Sequence, residues 1–318
     1  MSVVRTDPMT GHLILLSRGR AGRTAAFLSE PVLSKNECPF CPGHEDQTPP
    51  EISRIERDGS WLLRVVPNRY PMIEAESASD VALTDSIFRK VGLSGQHEVL
   101  IESPDHEAEF DQLDDEAAAS IVDCYMSRYG AHASNPAVRY IAIFKNDGRF
   151  AGASIPHLHS QLVAFNQIPI RALQEVATFL GGANVCSFCH TKNNPHLISA
   201  TEHFVVLTAE IARTPYQVRI APRSHVRTFM NLSDGEIREL GTLMQETLRA
   251  LFRVLGRVSF NWTFQNAYPA HSNPEAPFHW YCEISPRVTI EAGFELATGI
   301  ITNIVDPLDA AVALRKAF

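Results

Sequence analysis

NECPFC at residues 36–41 returns as NVCSFC at residues 184–189. The first copy is followed by HEVLIESPDH (97–106) and FKNDGRFAGASIPHLHSQ (144–161), the second by YQVRIAPRSH (216–225) and FQNAYPAHSNPEAPFHWYCE (264–283). A duplicated unit changes how every later motif is understood, so the repeat is read first. The two middle segments have the same length, alternate like strands and end on a histidine. Each precedes a helical run, FDQLDDEAAASIVDCYMSRY (110–129) in one half and FMNLSDGEIRELGTLMQETL (229–248) in the other. Asp114 or Asp115, and Ser233 or Asp234, are the expected helix starts. The predicted class is therefore α+β: a duplicated unit of mostly antiparallel sheet with helices packed on it. The break falls around 165–185, giving an N-terminal half of residues 1–170 and a C-terminal half of 171–318. The halves are expected to share one sheet or to pack as pseudo-twofold partners, since each alone would expose a sheet edge.

Superposing the repeats pairs Cys38 with Cys186, Cys41 with Cys189, His106 with His225 and His157 with His279. Zinc favours four ligands drawn from thiolate and imidazole, so each half is predicted to hold one closed, structural Cys2His2 site, two zinc ions per chain. A dithiol redox centre is the rival for each C-x-x-C pair, but neither opens a thioredoxin-like βαβ unit. The repeat fails at one informative place. His157 is followed by His159 and Gln161, whereas the second half has Tyr281 and Glu283 there. A strand spacing of two would set His159 on the same face as His157, a spare imidazole beside the ligand. A neutral imidazole attacks well near pH 7 and leaves well afterwards, which suits His159 to carrying a transferred group. Asn146, Gly148, Gly152, Ser154 and Gln161 supply small residues and donors where a phosphate could approach. Cys124 sits in the helical run and reads as a small buried apolar residue.

Bulk properties narrow the partners. The chain has 318 residues, 45% of hydrophobic type, and a net charge of −8 with scattered Lys and Arg. No basic face is available to neutralise a run of nucleic-acid phosphates, so a nucleic-acid partner is not expected. The longest apolar runs fall far short of the roughly 20 residues a membrane span requires, and no signal segment is read in MSVVRTDPMTGHLILLSRGR. A cytoplasmic location is expected.

The motifs together resemble the galactose-1-phosphate uridylyltransferase family of the histidine-triad superfamily, including its ADP-glucose phosphorylase-like branch. RTDPMTG, SRGRAGR, CPFCPGHEDQTPPEI, VVPNRYP, GQHEVLIESPDH, the stretch around HLHSQ and the closing GFELATG carry the likeness across nearly the whole chain. The resemblance implies duplicated histidine-triad-like units and a zinc at Cys38, Cys41, His106 and His157 bracing the active site. It also implies ping-pong exchange, in which His159 takes a nucleoside monophosphate from a nucleotide sugar or dinucleotide and gives it to a sugar phosphate or phosphate. Arg20 and Arg23 match phosphate-neighbouring residues, Asn68 a nucleoside contact and Glu295 a sugar-hydroxyl contact. Asn146, Ser154 and Gln161 match the phosphate cradle. A homodimer is implied by the same likeness. The chain has HLHSQ where uridylyltransferases of the galactose pathway typically have His-Pro-His-Gly-Gln, so base, sugar and acceptor stay open. The alternatives are a histidine-triad nucleotide hydrolase, a dinucleoside polyphosphate phosphorylase, and a non-catalytic nucleotide-binding or zinc-scaffold protein.

Overall fold

A computed structural model describes residues 2–6, 13–17, 33–75, 90–180, 186–269 and 278–318. Arg20 and Arg23, the expected phosphate neighbours, lie outside the described residues. Thirteen strands run in chain order through them. β1 (Ser2–Thr6), β2 (Leu13–Ser17) and β5 (Lys90–Gly92) make a small antiparallel sheet in the order β2-β1-β5. The main sheet has ten strands. From one edge come β3 (Ser53–Arg57), β4 (Ser60–Pro67), β6 (Gly95–Ile101), β8 (His159–Phe165) and β7 (Tyr140–Asp147). From the other come β9 (Leu197–Ala200), β10 (Phe204–Thr208), β11 (Val218–Pro222), β13 (Tyr281–Pro286) and β12 (Phe260–Gln265). The two sets meet where β7 pairs with β12, Asn146 opposite Asn261, and every pairing is antiparallel. Of the two arrangements expected, the chain adopts the continuous sheet.

Strand alternation divides the side chains between two unlike faces. Leu162 and Ala164 of β8, Leu100 of β6 and Trp262 and Phe264 of β12 join the large core beneath the helices α1 (Asp115–Ala133), α3 (Asp234–Leu255) and α5 (Pro307–Ala317). Asp114 caps α1 by accepting from the Ala117 amide at 2.7 Å. Ser233 starts α3 with a reciprocal capping box to Glu236, an arrangement that stabilises a helix by about 1 kcal/mol. α1 and α3 approach so closely at Gly241 that a Cβ there would lie 3.1 Å from the Ala118 carbonyl carbon. A larger residue there would require the α1 backbone to give by a few tenths of an ångström. Cys124 is buried in α1, as expected.

The opposite face is not covered evenly. Over the second half, Ala172 and Val176 of α2 (Ile170–Leu180) pack with Val205, Leu207, Ala221 and Tyr281. Over the first half, Phe40, Trp61, Val66 and Val99 form a smaller cluster beside the first C-x-x-C pair, and a cavity remains there. Two strand boundaries differ from the sequence reading. β6 ends at Ile101, well before His106, and β8 begins at His159, so His157 lies in the approach to the strand rather than within it. Short turns at the strand ends therefore place both ligand histidines, and no shared strand face sets His157 beside His159. A helix α4 (Gly293–Thr298) closes the list. No described helix is long and apolar enough to cross a membrane.

Candidate active site and metal clusters

The four residues of each predicted set come together. Cys38, Cys41, His106 and His157 present ligand atoms within 4.8 Å of one another, and so do Cys186, Cys189, His225 and His279. In the first set, His157 Nδ1 lies 3.6 Å from both sulfurs and His106 Nδ1 lies 3.3 Å from Cys41 Sγ. The far nitrogens fix the tautomers. His157 Nε2–H donates to the Ser103 carbonyl at 2.7 Å and His106 Nε2–H to the Leu33 carbonyl at 3.1 Å, so both rings turn a Nδ1 lone pair inward. Burial holds His157 neutral, pushing it down to about 4, the state a metal requires. Burial and the neighbouring Cys38 push the Cys41 thiol up to about 11. Two sulfurs and two aimed imidazoles are thus a donor set fit for a metal ion, one whose charge offsets the cost of the buried thiolates.

The second set repeats this chemistry with less cover. His279 Nε2–H donates to the Pro222 carbonyl at 2.8 Å and its Nδ1 lies 3.3 Å from Cys186 Sγ. His225 Nδ1 lies 3.4 Å from Cys189 Sγ. Where all four members of the first set are buried, only His279 is buried in the second and His225 is exposed.

His159 opens β8 directly after the first cluster. Its Nδ1–H donates to the His157 carbonyl at 2.7 Å, which leaves the lone pair on Nε2. The tautomer is opposite to that of the ligand ring two residues earlier. Phe40 packs edge-on against both rings, 5.3 Å from His159 and 6.0 Å from His157. Burial, and next the charge of Lys145, push His159 down to about 4, so it is neutral near pH 7. It lines a cavity of about 300 Å³ with Phe40, Asn68, Asn146, Ser154 and Gln161. Four residues expected to act on a phosphate or nucleoside are therefore gathered around one imidazole. The loop that carries Ser154 turns on Gly148 and Gly152, at φ of 78° and 84°, a backbone state that side-chain-bearing residues rarely adopt. At Gly148 a Cβ would also strike Ser259 Oγ, 2.3 Å away.

Glu295 stands apart. It lines a different groove, with Phe150, Arg213 and Ile304, and accepts from the Ala292 amide at 2.9 Å at the start of α4. Within one chain, Glu295, the expected sugar contact, and His159 line separate hollows. Asn68 combines two meanings: its Oδ1 accepts from the Tyr70 amide at 2.8 Å as a turn residue, and its side chain lines the cavity.

Behind the imidazole, on the helix face, is a group the sequence reading did not single out. The buried Lys145 Nζ bonds Glu102 Oε2 at 2.6 Å and the His159 carbonyl at 3.0 Å, and sits 5.2 Å from the centre of the Trp262 ring. Tyr125 keeps its proton, raised by burial and by Glu102, and donates it to Glu102; Ser160 Oγ then donates to the Tyr125 oxygen at 2.6 Å. The signal was available, since Lys145 is in phase with the apolar Ile141 and Ile143 of β7. His97, buried on β6 beside Gln161, was also missed.

The second half keeps the backbone and fills the counterpart of the cavity. Tyr281 donates to Glu175 Oε1 at 3.2 Å, and Glu283 accepts from Arg219 at 3.0 Å and Arg171 at 3.1 Å. Arg171 and Glu175 belong to α2, which therefore occupies the face that stays open in the first half. Tyr281 contributes no atom to the second metal set.

Comparison with known proteins agrees with this arrangement. Residues 1–169 match the family model described as galactose-1-phosphate uridyl transferase, N-terminal domain, and residues 114–316 match a domain of unknown function, DUF4921. An ADP-glucose phosphorylase of Arabidopsis thaliana is 31% identical over 98% of this chain and 92% of its own length. A galactose-1-phosphate uridylyltransferase of Thermotoga maritima is 27% identical over 99% of this chain and 98% of its own. The crystal structure of the Arabidopsis ADP-glucose phosphorylase with bound ADP-glucose superposes with a TM-score of 0.79 at 29% identity, covering 98% of each chain. With the family model matching more than half of its length and a relative this similar end to end, the chain belongs to the galactose-1-phosphate uridylyltransferase family of nucleotidyltransferases.

Proposed function

We propose that the protein moves a nucleoside monophosphate from a nucleotide sugar to a sugar 1-phosphate or phosphate, in two steps through a nucleotidyl-histidine on His159. The observation that carries this reading is the buried, neutral imidazole whose Nδ1–H is held by the His157 carbonyl and whose Nε2 is left for a cavity rimmed by Asn68, Asn146, Ser154 and Gln161. In the first step Nε2 attacks the α-phosphorus, the bond from that phosphorus to the bridging oxygen breaks, and the sugar 1-phosphate leaves with the oxygen. The ring carries the positive charge, with Nδ1–H still on the His157 carbonyl. In the second step a phosphate oxygen of the acceptor attacks, the P–N bond breaks, and the imidazole departs neutral. The donors of Asn68, Asn146, Ser154 and Gln161 hold the non-bridging oxygens as charge builds on them.

We assign zinc to both Cys2His2 sets on their donor chemistry. Bound at Cys38, Cys41, His106 and His157, it supplies structural bracing where β8 begins; the chemistry falls to His159. Residues 1–170 and 171–318 are taken as duplicated histidine-triad-like units, of which the first retains the nucleophile. The thiol chemistry fits the cytoplasm, where such pairs stay reduced. Exposed Ile290, Phe294, Leu296, Ile300 and Ile304 support a homodimer, and in that assembly Glu295 serves a partner copy's cavity. Sedimentation at micromolar concentration gives a dimer on this reading and a monomer against it.

Likeness to an ADP-glucose phosphorylase over 98% of the chain makes ADP-glucose the first donor to try and phosphate the first acceptor. ADP-glucose alone is expected to release about one equivalent of glucose 1-phosphate per chain, and turnover to resume only when phosphate or a sugar 1-phosphate is added. Continued release of AMP in water alone points to the hydrolase instead. Consumption of dinucleoside polyphosphates but of no nucleotide sugar points to the dinucleotide phosphorylase.

A further inference from the structure

We propose that His97 is a positioning residue that fixes which end of the Gln161 amide faces the nucleotide. The proposal deepens the reading of the cavity as a nucleotidyl-transfer site and rests on it. Val99 of β6 pairs directly with Gln161 of β8, so His97, two residues earlier on the same face, is the diagonal neighbour of Gln161. Its ring is buried, and its protonation is dictated by a group that has no choice. The Met72 backbone amide, 3.1 Å from His97 Nδ1, can only donate. Nδ1 therefore carries the lone pair, and the ring proton sits on Nε2.

From Nε2 the proton goes to Gln161 Oε1, 2.9 Å away. The amide's carbonyl is thereby engaged on the protein side, and its NH2 is left for the cavity that Gln161 lines. The reverse orientation would press that NH2 against Nε2–H, donor against donor. Asn68 is oriented by another group, its Oδ1 accepting from the Tyr70 amide at 2.8 Å; its Nδ2, 3.1 Å from Nε2, is a donor facing a donor and gains nothing from the ring. Non-bridging phosphate oxygens accept and never donate, so a carbonyl turned toward them would repel the charge the site has to hold. A histidine with a dictated tautomer thus sets the sign of the Gln161 amide dipole.

The second half supports the assignment by contrast. There Glu283 replaces Gln161 and is engaged by Arg219 and Arg171. Two residues before Arg219, where the first half has His97, stands Gln217. The half without the imidazole nucleophile also lacks the histidine that polarises the amide.

The test uses the full-length protein, ADP-glucose as probe, and single-turnover formation of the protein-bound nucleotide. His97→Leu is expected to slow adduct formation roughly tenfold or more, since loss of one such donor typically costs a hundredfold, with little change in the ADP-glucose concentration at half-saturation. Because His97 acts through Gln161, adding His97→Leu to Gln161→Ala should slow the reaction markedly less than it slows wild type. His97→Gln, whose side-chain N–H has a similar reach, should recover most of the rate. An unchanged rate in His97→Leu, or equal slowing with and without Gln161, overturns the proposal. A second readout needs no turnover: long-range 15N–1H NMR of the resting protein should find the His97 proton on Nε2, and a proton on Nδ1 overturns the proposal by itself. A wild-type protein that takes label from no nucleotide sugar overturns the functional reading on which the proposal rests, whereas the NMR result bears on His97 alone.

Discussion

His159 and Tyr281 occupy matching places in the two halves, and their surroundings differ more than their rings. Behind His159 lies the buried pair of Lys145 and Glu102, and the Lys145 ammonium holds the His159 carbonyl at 3.0 Å. An ion pair this buried is costly to break from one side, because the remaining charge has neither water nor partner. Lys145→Met should therefore lower stability by about 3–5 kcal/mol in chemical denaturation and slow nucleotide transfer through the loosened start of β8. Pairing it with Glu102→Gln removes the orphaned charge and should restore much of the lost stability. A single variant as stable as wild type would mean that the pair contributes nothing. At this scale the sequence was legible where residue types are unusual, as with the cysteines and the spare His159. It was silent on Lys145 and His97, whose roles come from neighbours on other strands. Composition cannot reveal that a backbone amide at Met72 dictates a proton 25 residues away in sequence.

At the scale of elements, the two halves differ in what covers the sheet beside the matched positions. The repeat implied two equivalent sheets with helices, and the ten-stranded order follows from that pattern. What the repeat could not reveal is α2, the connecting helix whose Arg171 and Glu175 reach Glu283 and Tyr281. Read as the break between halves, this segment gives no sign of which face of the assembled sheet it covers. The second half is therefore filled by α2 and carries Tyr281 where the first has His159. Tyr281→His should not create a second reactive site: intact mass after saturation with nucleotide sugar is expected to give one nucleotide per chain, as in wild type. Two per chain would contradict the account of α2. The strand boundaries carry a smaller lesson, since His106 and His157 were read as strand residues and lie in turns, where backbone carbonyls of Leu33 and Ser103 are free to fix their tautomers.

Across the whole molecule the two metal sets share chemistry and differ in cover. All four members of the first are buried, whereas only His279 of the second is. Metal analysis of the purified protein should give about two zinc ions per chain. Cys38→Ser should lose one ion together with folding of the face beneath the active cavity, since structural metal binding is coupled to folding. Cys189→Ser should lose the other ion with a smaller fall in melting temperature. Equal destabilisation by the two variants would refute the difference in cover as the cause.

The most direct measurement is peptide mapping by mass spectrometry after brief exposure to ADP-glucose without acceptor. The account predicts one AMP on the peptide that carries His159, absent from His159→Ala protein that still folds and still binds its metal, and lost when phosphate is added. AMP on another residue, or turnover in the His159→Ala variant equal to wild type, would contradict it.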